Sequence, residues 1–304
     1  MDSENSNLDS DYSLLLSFTL IIRTSKLTKT SHYNSYQNKL YRLIKFLYVC
    51  YMKKIANRLL YFLFSNKRIT LRMIHGLYKG IKLNVSIKNQ LGIILYPNEI
   101  HLQNFLKRNL DFGDTAFDIG SHIGYTSILT SKIVGENGHV YSFEPINENY
   151  LVLEKNINLN NCKNISIIKK ALSNKNGEVE FSIPESGDNL AMSSMVWGKK
   201  SHNNKKQLVK TINIDDDPKL RHLSPKTIKI DVEGAEGLVV EGMQKLISRC
   251  RPCMYIECTN IGRKTTWSIM KSLNYSCFQA KKNNDEIVDF NSYKSNDFLW
   301  IPNQ

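Results

Sequence analysis

Three groups of residues in this chain have types and spacings that could do chemistry. They are the glycine pair Gly120 and Gly124 after Asp118, the acid Glu144, and the acidic run Lys229, Asp231, Glu233 and Glu236. In the phrase FDIGSHIGYTS, Gly120 can take a positive φ and let the backbone come close to a ligand. A helix starting just beyond Ile123 would turn its free N–H groups and positive dipole end toward the same point. Such a site holds an anion, either a pyrophosphate or a carboxylate. Glu144 lies 26 residues after Asp118, where an acid at a strand end can accept both hydroxyls of an adenosine ribose. The alternative reading of the two-glycine turn is a helix cap with no ligand.

The second group follows a stretch that alternates as a strand over 227–231, with Ile228 and Ile230 on one face and Lys229 and Asp231 on the other. Asp231 then stands at the C-terminal end of that strand, followed by Val232, Glu233, Gly234 and Glu236. In an open α/β sheet that edge is where ligands sit. The acids could bind substrate, accept a proton or hold a divalent cation, but no His stands beside them and no metal is assigned. Asp231 and Glu233 are the candidate bases, with Lys229 as an orienting cation. Glu236 also reads as a first-turn acid favouring the dipole of a helix over 235–249. A further strand, 254–257, brings Glu257 to the same edge.

These residues need elements to hold them. Asn98 and Glu99 can open a helix that ends near Leu110. Residues 115–119 are a short β-prone run, 125–133 are helical in pattern, Gly135 and Gly138 break the helix, and 140–143 form the next strand. That is a strand–turn–helix–strand unit with a glycine-rich first turn. Residues 208–214, 275–279 and 297–301 read as further strands. The order of elements predicts an α/β fold, a Rossmann-like sheet with helices on both faces.

DIGSHIGYTS (118–127), the SFEP ending at Pro145 and KIDVEGAE (229–236) together resemble the FkbM-type methyltransferases. Asn156 and Asn160 in a helix after SFEP, Ala171 after a third strand and Gly177 before another fit the same pattern, and the resemblance covers about 98–258. It implies a class I methyltransferase fold and S-adenosylmethionine as methyl donor. The helix N-terminus after Gly120 would take the donor's carboxylate, Glu144 its ribose hydroxyls, and Asp118 would orient the turn or bind the amino group. Gly124, Ser121 and His122 complete the cofactor-binding set. Ser121 and His122 stand where the family usually has Ala and Asn. Without the resemblance a dinucleotide enzyme fits the turn almost as well; KIDVEGAE decides for methyl transfer. The family's usual acceptor is a hydroxyl, which implies O-methylation of a small molecule or glycan.

Composition bounds the alternatives. Of 304 residues, 41 are Lys or Arg and 28 Asp or Glu, a net charge of +13, and 41% are apolar, enough for a core. The charge is uneven. Residues 12–98 hold 15 Lys and Arg and no acid, whereas the chain from Glu99 onward is near neutral. The pI therefore describes the N-terminal region rather than the partner of the rest. Residues 40–64 carry apolar residues at helical spacing with Lys45, Lys53, Lys54 and Arg58 beside them, the pattern of a basic amphipathic helix. It either packs on the downstream domain or lies on an anionic membrane surface. The run 14–22 is too short to span a bilayer and lacks the marks of a secretory signal. The expected organisation is a basic extension over 1–75 and a methyltransferase domain over 76–304, in a cytoplasmic protein with or without a peripheral membrane contact. Two other functions compete: a nucleic-acid methyltransferase, favoured by the basic N-terminus, and an inactive methyltransferase fold at a membrane. The near-neutral core, and Val-Glu-Gly after Asp231, argue against the first; the intact Asp118, Gly120, Gly124 and Glu144 argue against the second. The Cys250/Cys253 pair reads as two thiols rather than a metal site, and the polar stretch 184–206 as either a lid or an insertion.

Overall fold

The structure is a computed structural model and describes residues 68–74, 76–86, 90, 99–184, 194–195, 204–279, 286–290 and 295–303. All of these fall in a compact unit spanning Lys67–Gln304. The expected amphipathic helix over 40–64 and most of the stretch 184–206 lie outside the described residues. Among the described residues no helix is long and apolar enough to cross a membrane.

The described residues begin with an antiparallel pair, β1 (Arg68–Arg72) and β2 (Lys82–Ser86). Met73 and Tyr78 between them are buried. The expected boundary after residue 75 therefore falls inside a paired hairpin and not between two domains. Helix α1 (Ile100–Asn109) follows, then β3 (Thr115–Ile119), α2 (Tyr125–Val134), β4 (His139–Phe143), α3 (Asn147–Leu159) and β5 (Ile165–Ile168). A smaller sheet comes next, made of β6 (Ala171–Leu172), β7 (Gly177–Pro184), β8 (Ser194–Met195) and β9 (Asn204–Ile212). β9 replaces the expected strand over 208–214, starting earlier and pairing with β7 along its whole length. Then come β10 (Thr227–Asp231), α4 (Glu236–Glu241), α5 (Gln244–Cys250), β11 (Cys253–Glu257), α6 (Asn260–Ser272), β12 (Tyr275–Gln279), β13 (Glu286–Ile287) and β14 (Asp297–Pro302).

The large sheet runs β13-β12-β14-β11-β10-β3-β4-β5. β11, β10, β3, β4 and β5 are parallel, and β14 inserts antiparallel between β11 and β12. The chain runs outward from β3 through β4 to β5, then returns to the other side of β3 as β10. That reversal is the switch point, where the loops leaving two adjacent parallel strands diverge and open a crevice. The fold is the Rossmann-like α/β sheet that the element order predicts.

Strand alternation separates the two cores. Phe117, Ile119, Ile228, Ile230, Met254 and Ile256 face one side with α4, α5 and α6. Ala116, Val140, Tyr255 and Leu299 face the other with α1, α2 and the hairpin. Asp118 and Lys229 point to this second side, in register with each other across β3 and β10.

The expected single helix over 235–249 is two helices. Gly242 ends α4, and a Cβ there would stand 2.0 Å from the Ser173 carbonyl oxygen. The backbone of the strand connection thus occupies the space a continuous helix with side chains would need.

Candidate functional site

The turn after β3 is built on left-handed backbone. Gly120 has φ 78°, His122 φ 49° and Gly124 φ 85°. A Cβ on Gly120 would stand 1.9 Å from the Asp231 carbonyl oxygen, so the ends of β3 and β10 touch backbone to backbone. Only glycine permits both that approach and that φ. Gly124 is the N-cap of α2, whose first N–H groups have no helical partner and face the turn.

Lys229 locks the two strand ends together. It is 7% exposed. Its Nζ lies 2.9 Å from the Gly120 carbonyl oxygen, 3.4 Å from Asp118 Oδ1 and 3.3 Å from Asp231 Oδ2. The first contact is a hydrogen bond and the other two are ion pairs, so the ammonium holds both strand ends at once. Burial alone would lower the Lys229 pKa, but Asp231 and Asp118 outweigh it and hold the group protonated. Asp118 is 1% exposed and also accepts from the Ser127 hydroxyl at 2.5 Å, which in turn accepts from Ser142 at 2.8 Å. Both of its carboxylate contacts are to side chains of the neighbouring elements, Lys229 and Ser127. Ser121 donates to the Asp118 carbonyl at 2.6 Å and is buried, so it works inside the turn.

Glu144 ends β4 as expected and lies beneath the turn. Its Oε2 accepts the His122 N–H at 2.8 Å; its Oε1 accepts the Ile146 N–H at 2.9 Å and Asn149 Nδ2 at 3.3 Å. Burial raises its pKa to about 7 against the pull of these donors. A carboxylate offers about four lone-pair directions. Three donors leave room for one ribose hydroxyl, and a second would have to displace one of them.

Two asparagines brace this arrangement. Asn156 Nδ2 donates to the Ile123 carbonyl at 2.8 Å while its Oδ1 accepts the Asn84 N–H at 2.6 Å. Asn160 pairs with both backbone groups of Lys82. Helix α3 thus carries the hairpin and the turn on one face. Tyr78 of the hairpin stacks on Tyr125, the first residue of α2, with ring centroids 3.8 Å apart.

At the rim, the Asp231 side chain is 34% exposed. Glu233 follows at φ 50°, and its pKa is raised by burial, then by Asp231 and Glu236. Glu236 is the first-turn acid of α4, as expected, and is fully buried. Its carboxylate accepts the N–H groups of Gly234 and Thr259 at 2.8 and 3.3 Å and shapes the loop that carries Glu233. Strand register sets Asp231, Glu257 and Asp297 side by side on β10, β11 and β14. Burial and the two flanking carboxylates raise Glu257 to about 7. Asp297 escaped the sequence reading because it opens the last strand, far along the chain, and only the antiparallel insertion of β14 brings it here. Arg68 and Gln90 escaped it as well; they reach the turn through the hairpin.

The residues present suit a cationic sulfonium nucleoside with one carboxylate. Gly120 leaves no room for a side chain, the N-terminus of α2 has no side-chain cap, Glu144 lies under the turn, and the rim is negative.

Comparison with known proteins gives three relatives. A curated protein-L-isoaspartate O-methyltransferase from Fervidobacterium nodosum is 41% identical over 56 residues, 18% of this chain and 28% of that protein. The chain thus spans little more than a quarter of that relative's length. The crystal structure of methyltransferase FkbM from Methylobacillus flagellatus is similar at 15% identity and a TM-score of 0.40, over 62% of this chain and 43% of that one. A SAM-dependent O-methyltransferase from Thermotoga maritima is similar at 12% identity and a TM-score of 0.39, over 73% and 72% of the two chains. The sequence model of the methyltransferase FkbM domain matches residues 118–290. That match takes in more than half of the chain and both rims of the site, and it makes this protein a member of the FkbM methyltransferase family.

Proposed function

We propose that this protein is an S-adenosylmethionine-dependent O-methyltransferase acting on a hydroxyl of a small molecule or glycan. The observation that carries the reading is the contact between the two rims. The turn 120–124 and the acidic segment 231–233 meet at one sheet edge, tied through Lys229. When bound there, the cofactor supplies an electrophilic methyl group on a sulfonium. The chain's residues do the rest. The turn and Glu144 hold the nucleoside. Lys229, hydrogen-bonded to Gly120 and ion-paired with Asp118 and Asp231, bridges the two rims. An alcohol must lose its proton as the new bond forms. Asp231, partly exposed, and Glu233, two residues on at the same rim, are the candidate bases. Carboxylates at Asp231, Glu257 and Asp297 favour a cationic donor and disfavour a polyphosphate acceptor, which supports a small-molecule or glycan substrate over nucleic acid.

The test is transfer from methyl-labelled (carbon-13) cofactor to a fractionated cell extract, followed by NMR of the labelled product. A methyl carbon bonded to oxygen is expected; a methyl on nitrogen or carbon overturns the acceptor class. Asp231→Asn and Glu233→Gln should together lower kcat by roughly 10²–10⁴-fold.

A further inference from the structure

The site described so far leaves three polar groups unused: Arg68 on β1, the buried Gln90, and the imidazole of His122. Gln90 is 7% exposed. Its Oε1 accepts the Ser86 N–H at 3.0 Å and Arg68 Nη2 at 3.0 Å. Two donors converging on one atom identify it as the amide oxygen, so the amide nitrogen is the atom facing His122. That nitrogen lies 3.3 Å from His122 Nε2. An amide NH₂ only donates, so His122 Nε2 must accept. It can do so only in the neutral ring with its proton on Nδ1. The surroundings agree, because burial and then the Lys229 charge hold the imidazole pKa down to about 4.

His122 therefore presents one fixed donor, Nδ1–H, which makes no hydrogen bond among the described residues. The Arg68 guanidinium is one amide away. Its partners among the described residues are neutral oxygens, those of Asn84 and Gln90. A partly desolvated cation without a carboxylate partner is costly to leave alone. An oriented N–H and a guanidinium beside the open N-terminus of α2 suit a carboxylate. The rim at 231–233 is acidic and would repel one, so the anion belongs on the turn side.

We propose that Gln90, held by Arg68 and the Ser86 N–H, is a positioning residue that fixes His122 as an Nδ1–H donor to the carboxylate of the methyl donor, with the Arg68 guanidinium as its countercharge. This rests on the cofactor reading given above.

Calorimetry on the full chain tests it with two nucleosides. S-adenosylhomocysteine carries the amino-acid end; 5′-methylthioadenosine lacks it. The unaltered protein is expected to bind both. Gln90→Leu and Arg68→Met should each weaken S-adenosylhomocysteine by roughly tenfold or more and change 5′-methylthioadenosine by less than about twofold. An equal loss for both, or no loss for either, overturns the proposal while leaving the cofactor reading intact. If the unaltered protein binds neither nucleoside, the cofactor reading itself falls. Two further measurements bypass a variant that fails to fold. Nitrogen-15 NMR of the unaltered protein should show His122 as the Nδ1–H tautomer; the Nε2–H tautomer overturns the assignment. In a His122→Asn background, Gln90→Leu should lose most of its discrimination between the two nucleosides; full persistence means that Gln90 does not act through His122 and defeats the proposal.

Discussion

The chemistry of this site is set by how few hydrogens and lone pairs are left over once the protein has satisfied itself. Lys229 is surrounded by the chain's own Gly120, Asp118 and Asp231, and Glu144 has about one acceptor direction left. The carboxylate row at the sheet edge is the opposite case, with too much of one charge. Glu257 sits between Asp231 and Asp297 in register. Its pKa rises from an ordinary 4.5 to about 7, first by burial and then by those two neighbours. The sign of the consequence follows from linkage. Below the unfolded value both states are protonated and there is no penalty. As pH rises from about 4.5 to 7 the unfolded chain releases its proton first, and the folded state loses relative stability. Above about 7 the loss is complete. Glu257→Gln should therefore leave stability near pH 4 unchanged and raise it near pH 8, by at most about 3 kcal/mol at 1.36 kcal/mol per pKa unit. Urea denaturation at the two pH values checks this, and an equal effect at both would show that the charge is not the cause.

At the scale of elements, the site residues read from the sequence gather at or near the C-terminal ends of strands, and this much is readable from the chain. Thr115–Ile119 is a β-prone run followed by Gly120, Thr227–Asp231 alternates and ends on an acid, and both strands have the bounds the sequence predicts. What local sequence could not carry is contact between distant segments. The run 235–249 has unbroken helical pattern, and the break at Gly242 comes from the backbone at Ser173, some seventy positions away. Glu236 has the sequence context of a surface acid and is buried because α6 begins against it. Arg68 and Gln90 lie in a stretch whose basic composition drew attention to charge rather than to position. Gly242 allows a direct check. A Cβ 2.0 Å from a main-chain oxygen cannot be relieved by a side-chain rotation. Gly242→Ala should cost roughly 1–3 kcal/mol of stability and leave cofactor affinity unaltered, since the Ser173 contact lies away from the turn 120–124. Loss of affinity at unchanged stability would show that this connection belongs to the site.

At the scale of the whole molecule, one sheet with one reversal of strand order places every candidate residue. β3 and β10 supply the turn and the first acids, β4 leads into Glu144, and β11 and β14 extend the rim. Among the described residues before α1, the hairpin β1–β2 and Gln90 contribute; the hairpin is held by Asn156, Asn160 and the Tyr78–Tyr125 stack. The groups assigned to cofactor, base and countercharge all lie between Arg68 and Asp297, within the compact unit that begins at Lys67. A chain starting there keeps both hairpin strands and every site residue; one starting at residue 76 loses β1 and Arg68 with it. The longer fragment should unfold in one cooperative transition and bind S-adenosylhomocysteine with the affinity of the full chain. The shorter one should bind it more weakly by roughly tenfold or more, the loss expected for Arg68→Met. If the two fragments bind alike, the hairpin is scaffolding alone. If the longer one binds worse than the full chain, residues before 67 contribute to the site, and the basic extension has a role in cofactor capture that its composition did not disclose.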